Sequence, residues 1–215
     1  MTVSRATTAG SAPGGRAPGG TPRAALADLL AGNRRFVSGQ PVHGHDVTAA
    51  AASASGDQQP YAVLLGCIDS RVPLEAIFDQ TFGSICVIRT GGHVLDRAVL
   101  GSIEYVVDVL GVPLIMVLGH ERCGAVDATV DALRTGHRPP GALAHLVDRI
   151  APAVAEVGLD EPQVRPLAIR RHVRRTVTAL RADPLLAAPL HTGRIAVAGA
   201  LYDLATGEVS LLDPP

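Results

Sequence analysis

Short, nearly unbroken apolar runs alternate along this chain with longer stretches in which apolar residues recur at helical spacing. Ala62-Val63-Leu64-Leu65 (stopped by Gly66), Ile85-Cys86-Val87-Ile88 and Leu114-Ile115-Met116-Val117-Leu118 each suit a strand buried on both faces, because a half-exposed strand would alternate apolar with polar. Leu95 to Leu110 carries the helical period and is closed by Gly111 and Pro113. The same spacing predicts a helix starting near Arg23, running through Ala25, Leu26, Leu29, Leu30, Phe36 and Val37, and ending at Ser38-Gly39. Further helices are expected from about Gly124 to Leu133, Leu143 to Val157 and Leu167 to Ala182. Ile195 to Tyr202 and Glu208 to Leu212 flank Thr206-Gly207 and read as a terminal hairpin. This rhythm predicts an α/β fold, a mainly parallel central sheet flanked by helices, with the hairpin at its C-terminal edge. His43 to Gln59 is small and polar and reads as a connection. Met1 to Pro22 is rich in Ser, Thr, Ala, Gly and Pro and is expected to be a disordered leader, leaving residues 23–215 as one domain.

Composition narrows the picture. The chain has 215 residues, 47% hydrophobic, with 19 basic residues, all arginine, against 20 acidic ones. That balance lacks the basic surplus of a protein that lives by neutralising phosphates, so no nucleic-acid partner is expected. No apolar run reaches the roughly 18 residues of a membrane span, and the amino terminus has no secretory apolar core. With no Trp and three Phe, the core must be aliphatic. Three cysteines, an odd number in a chain large enough to fold without staples, argue for reduced thiols and a cytoplasmic setting.

Chemistry gathers where two strands stop. Ligands of open parallel sheets bind beyond the carboxyl ends of the strands. There the chain offers Cys67-Ile68-Asp69-Ser70-Arg71 after the first strand and His120-Glu121-Arg122-Cys123-Gly124 after the third. An isolated cysteine is ordinarily a small core hydrophobe, and Cys86, mid-strand among Ile and Val, is read that way. Cys67, His120 and Cys123 at equivalent strand ends are instead a good donor set for zinc. Structural zinc sites mostly close with four Cys or His, so three donors favour a catalytic ion with one open position.

Gly66-Cys67-Ile68-Asp69-Ser70-Arg71-Val72-Pro73 and Leu118-Gly119-His120-Glu121-Arg122-Cys123-Gly124-Ala125 closely resemble the two signature motifs of the beta-class carbonic anhydrases. Gly32-Asn33-Arg34-Arg35-Phe36, Ile77-Phe78-Asp79, Val87-Ile88-Arg89, Gly101-Ser102-Ile103-Glu104-Tyr105 and Ala200-Leu201-Tyr202-Asp203 extend the resemblance from about Arg23 to the carboxyl end. Two departures stand out. Ile68 occupies a common Ser position, where it should point away in a turn, and Gly91-Gly92-His93 replaces Ala-Gly-Asn, with an expected effect on the pocket wall or a dimer contact.

The resemblance implies that Cys67, His120 and Cys123 ligate one zinc ion per subunit. It makes Asp69 and Arg71 a catalytic dyad and places Gln58 and Gly124 at the substrate. It also implies reversible hydration of CO2 to bicarbonate and a proton by a homodimer or dimer of dimers. Zinc acidifies a bound water, although two thiolates cancel its charge and weaken that effect. Asp69 can orient the water, and Arg71 can hold the carboxylate ionised through a bidentate pair. Were that pair to break, Asp69 could become a fourth ligand and close the site. Gln58 matches a glutamine that in relatives reaches the substrate across the dimer interface, and reads equally as a solvated loop amide. An inhibitory bicarbonate site of some relatives uses Trp, Arg and Tyr; Arg89 and Tyr202 fit, but Leu64 stands at the Trp position. His43, His45, His93, His137, His145, His172 and His191 receive no role, most reading as surface or packing residues. Rival readings are hydrolysis of carbon disulfide or carbonyl sulfide on the same fold and a non-catalytic zinc sensor or scaffold.

Overall fold

The computed structural model describes residues 20–214 apart from His45 and Ser55, so residues 1–19 of the expected leader lie outside the described residues. Its last residues already belong to the fold. Thr21 caps the first helix, α1 (Pro22–Val37), by accepting the Ala24 N–H through its hydroxyl at 3.2 Å, and Pro22 sits where a helix needs no N–H. Then follow α2 (Val47–Ser53), β1 (Ala62–Cys67), α3 (Leu74–Ile77), β2 (Ile85–Thr90), a 3₁₀ turn (Gly91–His93), α4 (Arg97–Asp108) and β3 (Leu114–His120). The chain closes with α5 (Gly124–Thr135), α6 (Leu143–Val157), α7 (Val164–Arg181), α8 (Pro184–His191), β4 (Ala196–Tyr202) and β5 (Val209–Asp213).

Several elements differ from the sequence expectation, among them the short α3 and the 3₁₀ turn, which it did not predict. The polar connection contains α2, which Asp46 starts by accepting the Ala49 N–H at 2.9 Å; α2 buries nothing, hence its missing apolar period. α8 also escaped the pattern, with only Leu186 and Pro189 buried. β1 does not stop at Gly66: it continues through Cys67, paired with Thr90 of β2, and the bare Gly66 position gives Leu74 room to pack.

The five strands lie in the order β2-β1-β3-β4-β5, parallel except for β5, which runs antiparallel to β4. Both faces of the central strands are covered. Leu64, Met116 and Ala198 meet α1 and the α3 region through Leu29, Ile77 and Phe78. Val63, Leu65, Ile115, Val117 and Val197 meet Ile103 of α4, Val173 and Val177 of α7 and Leu186 of α8. That two-sided burial explains the continuous apolar runs. β1 leads leftward to β2 whereas the chain returns to β3 on the other side, so the strand order reverses between β1 and β3, the place where α/β sheets open a crevice.

α1 is tied to the opposite end of the chain by polar contacts. Buried Asn33 donates to the Ile77 and Gly207 carbonyls at 3.1 and 2.9 Å and accepts the Val209 N–H at 2.9 Å. Gly32 is obligatory, since a Cβ there would lie 1.8 Å from the Phe78 oxygen. Asp79, buried, pairs with Arg35 Nε and accepts the Val42 and His43 N–H groups at 3.2 and 3.0 Å. Burial alone would raise its carboxyl pKa, but Arg35 and the two backbone donors outweigh it and hold the group below the usual carboxylate range. Its stabilisation is therefore present above about pH 4, the unfolded value, and is lost as pH falls through the lower folded value. Asp79→Asn should cost about 3 kcal/mol at neutral pH and flatten the acid side of the stability curve. Denaturant unfolding of parent and variant from neutral to acid pH checks both.

Candidate metal centre

β1 and β3 are paired from Ala62/Leu114 only as far as Leu65/Val117. Beyond that point Gly66 and Cys67 stay with β2, while Leu118 to His120 stay with β4, so the two strands part and leave a cleft between Cys67 and His120. The Glu121 N–H donates to the Tyr202 carbonyl at 3.1 Å, and Arg122 then turns the chain sharply with a left-handed φ of 52°. This delivers Cys123 as the residue preceding α5, at the positive end of a helix that favours a thiolate.

The Cys67 and Cys123 sulfurs and a ring nitrogen of His120 lie within 4.8 Å of one another, and all three residues are buried. The sulfurs are 4.0 Å apart, too far for a disulfide and close to the separation of two sulfurs each about 2.3 Å from a tetrahedral zinc. His120 Nδ1 lies 2.8 Å from the Glu121 carbonyl, which can only accept, so Nδ1 carries the proton and Nε2 keeps its lone pair. That Nε2 is buried without a hydrogen-bond partner. A bound cation would satisfy it, and a backbone carbonyl orienting the other ring nitrogen is the usual support of a metal-binding histidine. The donors fit zinc.

The electrostatics agree. Hydrogen bonding from Cys123 draws the Cys67 thiol below its ordinary value against the cost of burial, with the neighbouring His120 and the Gly92 N–H, 3.3 Å from Cys67 Sγ, adding to the effect. Sharing with Cys67, and burial, push Cys123 the other way, so without a dication one thiol of the pair keeps its proton. Burial lowers the His120 pKa, but the neighbouring Cys67 outweighs it and raises the group.

Asp69 stands outside the three-donor cluster. Arg71 donates to its carboxylate from Nε at 2.9 Å, Nη2 at 2.7 Å and the backbone N–H at 2.9 Å. These bonds, Arg71's side chain foremost, hold the Asp69 carboxyl far below the usual range, and the exposed Arg71 guanidinium is raised in return. Arg89 donates to the Cys67 carbonyl at 2.8 Å and to the Asp69 carbonyl at 2.6 Å, pinning the turn that carries the dyad. Leu64, which stands at the Trp position of that bicarbonate site, is wholly buried in the sheet.

Gly124 begins α5 and is exposed, with open space where a Cβ would stand. Gln58 is exposed in the connection before β1 and contributes none of the hydrogen bonds of the centre. Ile68 is 63% exposed, pointing out of its turn as expected. His93, of the Gly91-Gly92-His93 departure, is buried inside the chain as a packing residue, with its ring centroid 4.5 Å from that of His172. His43, His137, His145 and His191 are exposed, and His45 lies outside the described residues. Cys86 is half-buried on edge strand β2 and packs against the core rather than within it, burial raising its thiol pKa. The supporting roles of Arg89, Gly92 and the Glu121 carbonyl had no signal in the sequence, since each acts through backbone atoms or a strand neighbour.

The carbonic anhydrase family model matches residues 62–209. A carbonic anhydrase of Mycolicibacterium smegmatis is 45% identical over 201 residues, 90% of this chain and 95% of the relative. Carbonic anhydrase 2 of Mycobacterium tuberculosis is 44% identical over 197 residues, 91% and 95% of the two chains. Among solved structures, one from a pair of tetrameric beta-carbonic anhydrases of Sordaria macrospora is similar at a TM-score of 0.69 and 21% identity, covering 87% of this chain and 96% of its own. The beta-carbonic anhydrase of Coccomyxa in complex with acetazolamide is similar at 0.67 and 24% identity, covering 87% and 86%.

The donor set should take up one zinc ion per chain, and acid should release it, because all three ligands must be deprotonated to bind. Native mass spectrometry down a pH series reads both. Cys123→Ser should lower the occupancy at every pH.

Proposed function

The chain belongs to the beta-class carbonic anhydrase family, and from that premise we propose that it hydrates CO2 reversibly at a zinc ion held by Cys67, His120 and Cys123. The observation that carries this reading is the buried, unpartnered His120 Nε2 facing two thiols beside an ionised, Arg-clamped Asp69. What zinc supplies when bound there is acidification of a water to a nucleophile that works near neutral pH.

The chain's residues do the rest. Two thiolates would blunt the charge of a bound zinc, and the Gly92 N–H on Cys67 Sγ would withdraw part of that donation. Asp69, ionised at all relevant pH, accepts a hydrogen bond from the reacting water and orients it toward the carbon of CO2. Arg71 holds Asp69 in that role with three donated bonds and so keeps the carboxylate off the metal. Loss of that clamp would free Asp69 to take the open coordination position and close the site. Gly124, lacking a side chain, leaves room for the linear substrate beside Cys123. Gln58 reaches substrate from a second copy of the chain. A dimer or dimer of dimers is therefore the active form; the half-exposed edge strand β2 and the tetrameric state of the Sordaria proteins support it. The two thiol donors call for a reducing compartment, in keeping with the cytoplasm. Among the described residues no helix is long and apolar enough to cross a membrane. The Asp69–Arg71 clamp weighs against a scaffold role, since a structural metal needs neither residue.

Stopped-flow CO2 hydration on metal-analysed protein tests the proposal. Asp69→Asn should keep its zinc and lose about a hundredfold in kcat/KM, whereas Cys67→Ser should lose metal and activity together. Parent protein with stoichiometric zinc and no hydration activity across the neutral range would overturn it.

A further inference from the structure

Behind the metal centre, two histidines from distant parts of the chain meet in the interior. His172 projects from α7, 4% exposed, and its Nε2 lies 2.9 Å from the Gly92 carbonyl. Because a carbonyl only accepts, His172 must be the donor, with its proton on Nε2. Burial, the largest influence, lowers the His172 pKa to about 4, so the neutral ring is the form present near neutral pH.

Gly92 is an unusual residue to hold in place. Its φ is +63°, and a Cβ there would meet Ile150 at 2.9 Å and Ala125 at 3.0 Å. The next residue, His93, is also left-handed at φ 46°, which a side chain other than glycine adopts at a cost of order 1 kcal/mol. Two successive residues in this conformation persist only when their surroundings impose it. On one side of Gly92 its N–H points at Cys67 Sγ, and on the other its carbonyl is taken by His172.

Resting on the zinc reading of Cys67, we propose that His172 is a positioning residue for the metal centre: by gripping the Gly92 carbonyl from α7 it holds the left-handed turn in the one conformation that aims the Gly92 N–H at the Cys67 sulfur. A hydrogen bond to a metal-bound thiolate draws charge from the sulfur and thereby adjusts both metal affinity and the acidity of the ion. α7 thus reaches the metal through one side chain and one glycine, without being a ligand. His93 packs its ring beside His172 and fills the space behind the turn.

The test compares His172→Gln with His172→Met, whose side chains are of similar length and differ in the amide donor. Each is purified with its zinc, checked for folding by thermal melting, titrated with a chelator, and reloaded with Co(II) to read the thiolate-to-metal charge-transfer band. His172→Met should bind zinc about tenfold more weakly and shift that band to lower energy, as expected of a thiolate that has lost a donor. His172→Gln should stay close to the parent on both measures. Equal behaviour of the two variants, whether both like the parent or both weakened alike, would overturn the proposal. The readouts are metal affinity and a spectrum, so a parent that binds zinc but hydrates no CO2 would overturn the functional reading and leave this comparison to be decided separately.

Discussion

Where β1 and β3 lie side by side, their parallel pairing runs only to Leu65 and Val117, and each strand then follows its other neighbour for two or three residues more. The metal centre is a product of that parting. Strands paired to their ends would fill the space between Cys67 and His120 with backbone hydrogen bonds. Strands set apart from the start would leave the two donors too far from one another to share an ion. Partial pairing gives a cleft whose walls are rigid, because Cys67 remains bonded to β2 and His120 to β4.

Around that cleft the polar groups are arranged so that each supports the next. The Glu121 carbonyl fixes the His120 ring, the Arg89 guanidinium fixes the Cys67 and Asp69 carbonyls, and Arg71 fixes the Asp69 side chain. Most of these supports come from backbone atoms or from arginine, neither of which changes charge near neutral pH. A centre held this way keeps its geometry while its own thiols and imidazole exchange protons for metal. Cys67 and Cys123 pack into an apolar cluster with Val126, Ile150, Val154 and Ile169.

Remote parts of the fold serve the same end. α1 and the β4–β5 turn are joined by Asn33, and α1 and the α3 region by Asp79, so the N-terminal helix clamps the sheet face opposite α4 and α7. With both faces covered, the strand ends have little freedom to shift, which a catalytic metal with few protein ligands requires.

From the sequence alone, the apolar runs of β1, β2, β3 and β4, the longer helices and the terminal hairpin were legible, because two-sided burial and the helical period leave direct marks on residue choice. The donor set was legible too, since thiols and imidazole placed where strands stop have few bland explanations, and the Asp69-x-Arg71 spacing made their pairing foreseeable. Elements that bury little, α2 and α8, left no such mark. What only the tertiary structure decided is which neighbours meet across the chain: that β1 lies between β2 and β3, that Arg89 donates to the Cys67 and Asp69 carbonyls, that His93 turns inward, and that His172 lies within hydrogen-bond reach of Gly92 eighty positions away. The reason is physical. A period or a motif records the environment of a residue along its own element, whereas these contacts depend on strand order and helix packing, which the energy of the whole fold selects.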